Sequence, residues 1–167
     1  DYDFAILDLD QFSLKLIETF AAQGCTLHGF SIANNQLVEL TFKYKGVSID
    51  IFYIHSDEDN SIHLCPNFRT AEKTKKFIGN LKVNSFNNYF SVSYPKIALQ
   101  FDSDFGLFMP TDPVSIFAQH YGDDWSIPKQ SNFIDFKNYQ FIDIESSTFQ
   151  GESEDLIEYI KQHQLLR

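Results

Sequence analysis

Apolar and polar residues alternate with two different periods along this chain. Leu9, Phe12, Leu16, Ile17 and Phe20 fall at helical spacing, which predicts a helix over residues 8–23, started by Asp8 or Asp10 and ended by Gly24. The period then drops to two. Cys25 to Ile32 reads as a strand, Asn34-Asn35 as a turn, and Leu37 to Tyr44 as a second strand with Val38, Leu40, Phe42 and Tyr44 on one face. Lys45-Gly46 turns the chain into Val47 to Ile54, an almost unbroken apolar run of the kind found inside a sheet. Residues 1–7 read as a further strand.

The second half is less regular. The pattern predicts a helix over Thr70 to Asn80 and leaves 81–94 undecided between helix and strand. Ile97 to Phe101 and Leu107 to Met109 form a predicted hairpin around Asp102-Ser103-Asp104-Phe105-Gly106. A well-punctuated helix follows. Asp112 is its cap, Pro113 lies in its first turn, Val114, Phe117, Ala118 and Tyr121 form its expected buried stripe, and Gly122 stops it. Residues 153–165 make a last amphipathic helix, with Leu156, Ile157 and Ile160 facing in. No repeat or low-complexity tract divides the chain, so 1–167 reads as one α/β or α+β domain.

Composition narrows the function classes. The 167 residues are 43% hydrophobic and include 18 Phe, which is a packed chain and not a disordered one. A net charge of -10 argues against general nucleic-acid binding, which needs clustered cations. No apolar run reaches the ~20 residues of a membrane span. Cys25 and Cys65 make no disulfide framework, and a reduced compartment fits them; a single Cys25–Cys65 bridge stays open as an alternative.

Two carboxylate signals carry the candidate chemistry. Asp1 and Asp3 in Asp1-Tyr2-Asp3-Phe4 share one face of a strand at ~7 Å, within reach of one hard cation. Asp50, in Ser48-Ile49-Asp50-Ile51-Phe52, needs a partner because an unpaired buried charge is costly. That partner is either an ordinary hydrogen bond or ion pair, or a metal shared with Asp1 and Asp3. Arg69, Lys73, Lys75, Lys76 and Lys82 concentrate five of the 13 basic residues in a short stretch, either a solvated helix face or a patch for a diphosphate. His55, His63 and Cys65 match no zinc spacing, and Asp57-Glu58-Asp59 reads as a turn.

The order of these elements, Asp-x-Asp, helix, then a strand with one central Asp, resembles the nucleotidyltransferase fold. A third segment makes the resemblance specific. Gly106-Leu107-Phe108-Met109-Pro110-Thr111-Asp112-Pro113 leads to Tyr121-Gly122-Asp123-Asp124-Trp125-Ser126-Ile127-Pro128, which is similar to the closing segment of the LicD/fukutin phosphotransferases. Ile49-Asp50-Ile51-Phe52 is similar to a strand of that family, and the likeness spans roughly residues 1–130.

The resemblance implies a mixed sheet flanked by helices and lacking its N-terminal piece. The family's Gly-rich segment and Arg-bearing strand are not in this chain, so it reads as a fragment of a longer protein. The implied activity moves a phosphorylated group, such as choline, ribitol, glycerol or sugar phosphate, from a CDP-linked donor to a cell-surface or lipid-linked glycan. It uses Mg²⁺ or Mn²⁺ held by Asp1, Asp3 and Asp50, with Asp50 also the candidate base. Arg69, Lys73, Lys76, Tyr121, Asp124 and Trp125 are the substrate-binding candidates. A bacterial cytoplasm, at the inner face of the membrane, is the implied location, with a Golgi lumen as the eukaryotic alternative. A nucleotidyltransferase and a non-catalytic glycan-binding or scaffold domain are the rival readings. Trp125 is expected to be buried as a lock on the loop after Gly122, so that Trp125→Ala would cost about 3 to 5 kcal/mol.

Overall fold

A computed structural model describes residues 2–130 and 136–167. In chain order its elements are β1 (Tyr2–Ile6), α1 (Leu14–Ala22), β2 (Thr26–Ala33), β3 (Gln36–Tyr44), β4 (Val47–Ser56), β5 (Asn60–Pro66), β6 (Lys73–Ile78), β7 (Leu81–Phe86), β8 (Tyr89–Pro95), β9 (Leu99–Asp102), β10 (Leu107–Pro110), α2 (Pro113–Tyr121), β11 (Tyr139–Ile142), β12 (Ser146–Gln150) and α3 (Ser153–Gln162), with a 3-10 turn at Phe136–Asn138 before β11. The main sheet runs β11-β8-β5-β4-β3-β2-β12-β7-β6, with β1 beside β4, and β9–β10 form a separate hairpin.

This corrects the expected fold class. The chain is mostly antiparallel β, a sheet curled into a half-barrel with three helices, and not a nucleotidyltransferase-like α/β sheet flanked by helices. Among the described residues the parallel pairing is β1 with β4, in the register Asp3↔Asp50. The curl shows in the contact of β2 with β5, which are three places apart in strand order.

The reason lies in the segment read as a helix. Residues 73–78, Lys-Thr-Lys-Lys-Phe-Ile, form the edge strand β6, and all six are exposed. An edge strand with both faces wet carries no apolar alternation, and lysines suit it because they discourage pairing with other chains. The undecided stretch that follows becomes β7 and β8, and β12, which the pattern did not show, inserts between β2 and β7.

Local signals fare better. Asn34 and Asn35 both take positive φ (51° and 57°), as does Lys45-Gly46 (49° and 85°), the geometry that tight two-residue hairpins require. The first helix begins later than predicted, at Leu14 behind Ser13, because Asp8 instead accepts the Asp10 backbone N–H in a local turn. The α2 cap stands as read: the Ser115 N–H donates to Asp112 Oδ1 at 3.1 Å, and Gly122 ends the helix at φ 91°. Its expected stripe does not hold, since Val114 and Phe117 are exposed and Ile116 is the residue that packs inward.

The sheet has two unlike faces. Leu40, Phe42, Ile51, Tyr53, Phe30, Val83 and Phe149 point one way and are sealed by Ile17 of α1 and Leu156 and Ile160 of α3. At the other end of the sheet and on the opposite face, Phe90, Val92, Tyr94 and Cys65 pack with Tyr139 and Ile116 of α2. Between these two cores lies a stretch of sheet whose second face is covered by no helix among the described residues.

Candidate functional site

Strand alternation decides what occupies that open face. Ile51 and Tyr53 of β4 point into the helix-covered core, so Asp50 and Phe52 point the other way. The register then builds two cross-strand rows. One runs Asp3, Asp50, Thr41, Gly29, Gln150, Lys82 over β1, β4, β3, β2, β12 and β7. The next runs Phe52, Glu39, Ser31, Thr148, Asn84, Lys75. Carboxylates gather at the β1–β4–β3 end and lysines at the β6–β7 end.

Asp3 and Asp50 are direct cross-strand neighbours. Partial burial raises the Asp3 pKa from its ordinary value, and the nearby Asp50 charge raises it further. Glu39, one strand over, is pushed up to about 7, first by burial and then by Asp50 and Asp3, against a lowering hydrogen bond in which Ser31 Oγ donates to Glu39 Oε2 at 2.5 Å. Sequence reading missed Glu39, although Leu37-Val38-Glu39-Leu40 carries the same signal as Asp50: a carboxylate set among apolar strand residues.

The closing segment reaches this acidic end. Tyr121, at the end of α2, is held above its usual pKa by burial and by Asp3, with Arg69 pulling it down. Tyr121 thus lies within the field of both Asp3, the cross-strand neighbour of Asp50, and Arg69. Asp1 lies outside the described residues. Among those residues no group of three or more His, Cys, Asp and Glu side chains is placed to hold a metal ion. A two-carboxylate set is the smaller arrangement that Mg²⁺ accepts when substrate phosphates complete its shell.

The other candidates separate. Lys73 and Lys75 share the open face with Phe86 and Asn84, their β7 partners, whereas Lys76 pairs with Val83 and points to the opposite face. Asp124 is ion-paired within its own loop, to Lys129 at 2.6 Å. Trp125 is not the buried lock expected of it. It is 36% exposed, its ring lies 5.1 Å from that of Phe117, and with Tyr121, Ile127, Pro128 and Lys129 it lines a pocket of about 260 Å³. Half-open rings leave smaller cavities, so Trp125→Ala is now expected to cost about 1 kcal/mol. Thermal unfolding of the variant checks this; a loss near 4 kcal/mol would restore the locking role.

Beside the acidic end is the aromatic core around His120. Its Nδ1 lies 2.6 Å from the Tyr139 hydroxyl and 3.3 Å from that of Tyr94. Burial, with Arg69 adding to it, lowers the His120 pKa to about 4; burial, with His120 adding to it, brings His63 to about 4 as well. Both imidazoles are neutral at pH 7 and serve the packing of this end. Cys25 and Cys65 are free thiols, and burial raises the Cys65 pKa. Asp57 and Asp102 make the turns read from the sequence, each accepting two following backbone N–H groups.

A cleft of about 280 Å³ crosses the open face, with Glu39 and Thr41 on one wall and Asn84, Phe86 and Lys73 on the other. Gly29 lies in its floor, where a β-carbon would sit 2.7 Å from the Phe149 carbonyl oxygen.

No helix among the described residues is long and apolar enough to cross a membrane. Comparison with family models, with curated proteins and with solved structures finds no match to this chain.

Proposed function

We propose that the acidic end of the open face is a metal-assisted phosphotransfer site. The observation that carries the reading is the cross-strand pairing of Asp3 with Asp50, beside which Tyr121 of the closing segment feels the charges of both Asp3 and Arg69. The reading stands on those residues and not on the nucleotidyltransferase fold.

Asp3 and Asp50 would hold Mg²⁺, and the repulsion that lifts the Asp3 pKa is the kind a bound cation relieves. The ion would supply charge neutralisation at the donor phosphates. Arg69 adds a fixed positive charge for the same phosphates. Glu39, with a pKa near 7, is suited to take the proton of the acceptor hydroxyl. The Tyr121–Trp125 pocket offers half-exposed rings on which a cytosine base could stack. A CDP-linked donor and a glycan acceptor follow from the resemblance alone.

A second reading has its own support. The rows of polar side chains continue well past the carboxylates, as a non-catalytic binding face would. One experiment separates them. CMP release from CDP-choline, CDP-ribitol and CDP-glycerol is measured with Mg²⁺, and Mg²⁺ binding is titrated by calorimetry. Phosphotransfer predicts CMP release that EDTA, Asp3→Asn and Asp50→Asn each reduce by about 100-fold or more, roughly the loss of 3 kcal/mol of charge stabilisation. Release that survives EDTA or either variant overturns it. Pyrophosphate released from CTP would mark a nucleotidyltransferase. Neither Mg²⁺ binding nor CMP would leave the binding domain.

A further inference from the structure

The cleft across β3, β2, β12, β7 and β6 is asymmetric in charge. Glu39 stands on its β3 wall and Lys73 on its β6 wall, four strand steps apart. Between them lies Asn84, which is 6% exposed. Its Nδ2 donates to Thr148 Oγ1 at 3.1 Å, and its Oδ1 is buried with no hydrogen-bond partner. An orphaned buried acceptor costs about 1 to 3 kcal/mol, so a site that keeps one is built for a donor that arrives with something else. Phe68 and Phe86 add apolar surface to the same cleft, and the Lys73 ammonium lies 5.9 Å over the Phe86 ring.

Size narrows the ligand. Four steps of about 4.8 Å give roughly 19 Å along a flat sheet, and the two charged side chains reaching inward leave on the order of 10 Å. An extended peptide of about three residues covers that span at ~3.4 Å per residue. Its ammonium end would meet Glu39, its carboxylate end Lys73, and a backbone N–H would donate to Asn84 Oδ1. A free amino acid is too short to touch both walls.

We infer that this cleft binds a short zwitterionic peptide with both termini free. The inference shares Glu39, and the resemblance's substrate-binding candidate Lys73, with the phosphotransfer reading, but it needs neither metal nor nucleotide, so its test is run in EDTA and its failure is distinct from that reading's.

The probe is trialanine, titrated into the intact chain by calorimetry beside free alanine, N-acetyl-trialanine and trialanine amide. Trialanine is expected to bind with a Kd of about 1 mM or tighter, and each blocked form at least about tenfold more weakly, since each loses one charged hydrogen bond. Lys73→Ala, at an exposed edge-strand position, should weaken trialanine about tenfold and leave trialanine amide unchanged. Asn84→Leu should abolish binding, with circular dichroism reporting whether that variant folds; the Lys73→Ala arm decides the matter if it does not. No binding of trialanine at about 10 mM, equal binding of the blocked peptides, or indifference to Lys73→Ala would each overturn the proposal.

Discussion

Glu39→Gln is expected to make the chain more stable at pH 8 while changing little at pH 4.5. Burial and the charges of Asp50 and Asp3 raise the Glu39 pKa from 4.5 to about 7. The folded state therefore holds the protonated form more tightly than the unfolded chain does. Below pH 4.5 both states are protonated and Glu39 costs nothing. As pH rises from 4.5 to 7 the unfolded chain ionises and the folded one resists, so stability is lost across that window and levels off above it. A shift of this size corresponds to about 3 kcal/mol at full effect, and to roughly 2 to 3 kcal/mol after relaxation of a side chain that is not wholly sealed. Glutamine keeps a hydrogen bond to Ser31 without the charge. His63 and His120, held neutral by burial, lose stability in the opposite direction as pH falls below 6.5. The difference between variant and parent cancels their contribution, so urea unfolding of both proteins from pH 4.5 to 8 is the measurement. A flat difference would mean that Glu39 is not displaced from its ordinary pKa. A variant less stable than the parent at pH 8 would mean that the ionised carboxylate has a cationic partner.

Phe30→Ala is expected to cost about 3 to 5 kcal/mol. Phe30 is 2% exposed, and its ring stacks on Phe149 of β12 at 4.5 Å and lies 6.0 Å from Tyr159 of α3. Removing it takes a large apolar surface from the core and leaves a cavity at the point where β2, β12 and α3 meet. The loss should appear in the unfolding midpoint, with the slope against denaturant unchanged. Hydrogen exchange gives a finer reading: the amides of β12 and β7 should lose protection together with those of β2, because β12 bridges the two. A cost near 1 kcal/mol, or loss of protection in β2 alone, would contradict the insertion of β12 between them.

Both cases depend on strands that meet across long stretches of chain. Glu39 is shifted by Asp50 in the next strand and by Asp3 in the strand beyond it, while Phe30 rests on a residue more than a hundred positions away. The Asp-x-Asp element and the central Asp50 were visible as chemistry, and their likeness to a known order of elements suggested a known fold. Order along the chain does not set neighbourhood in a sheet, however. Two Asp-bearing strands can be adjacent in a mixed α/β sheet or, as with Asp3 and Asp50 here, at a fork where β4 carries both β1 and β5 along one edge.

What the amino-acid order determined by itself is what short-range physics controls. The turns at Asn34-Asn35 and Lys45-Gly46 follow from residues that tolerate positive φ, and the start and stop of α2 follow from a carboxylate cap, a proline and a glycine. The apolar runs of β2, β3 and β4 follow from the period of a pleated strand. Tertiary structure decided the rest. It made a strand of Lys73–Ile78, because pairing with β7 satisfies a backbone whose side chains bury nothing. It left Trp125 half open, since the loop after Gly122 found a neighbour in Phe117 rather than a place in the core. It also turned Glu39, Asn84 and Lys73 into three parts of one cleft, because the register of five strands, which no local pattern encodes, brings them to the same uncovered face.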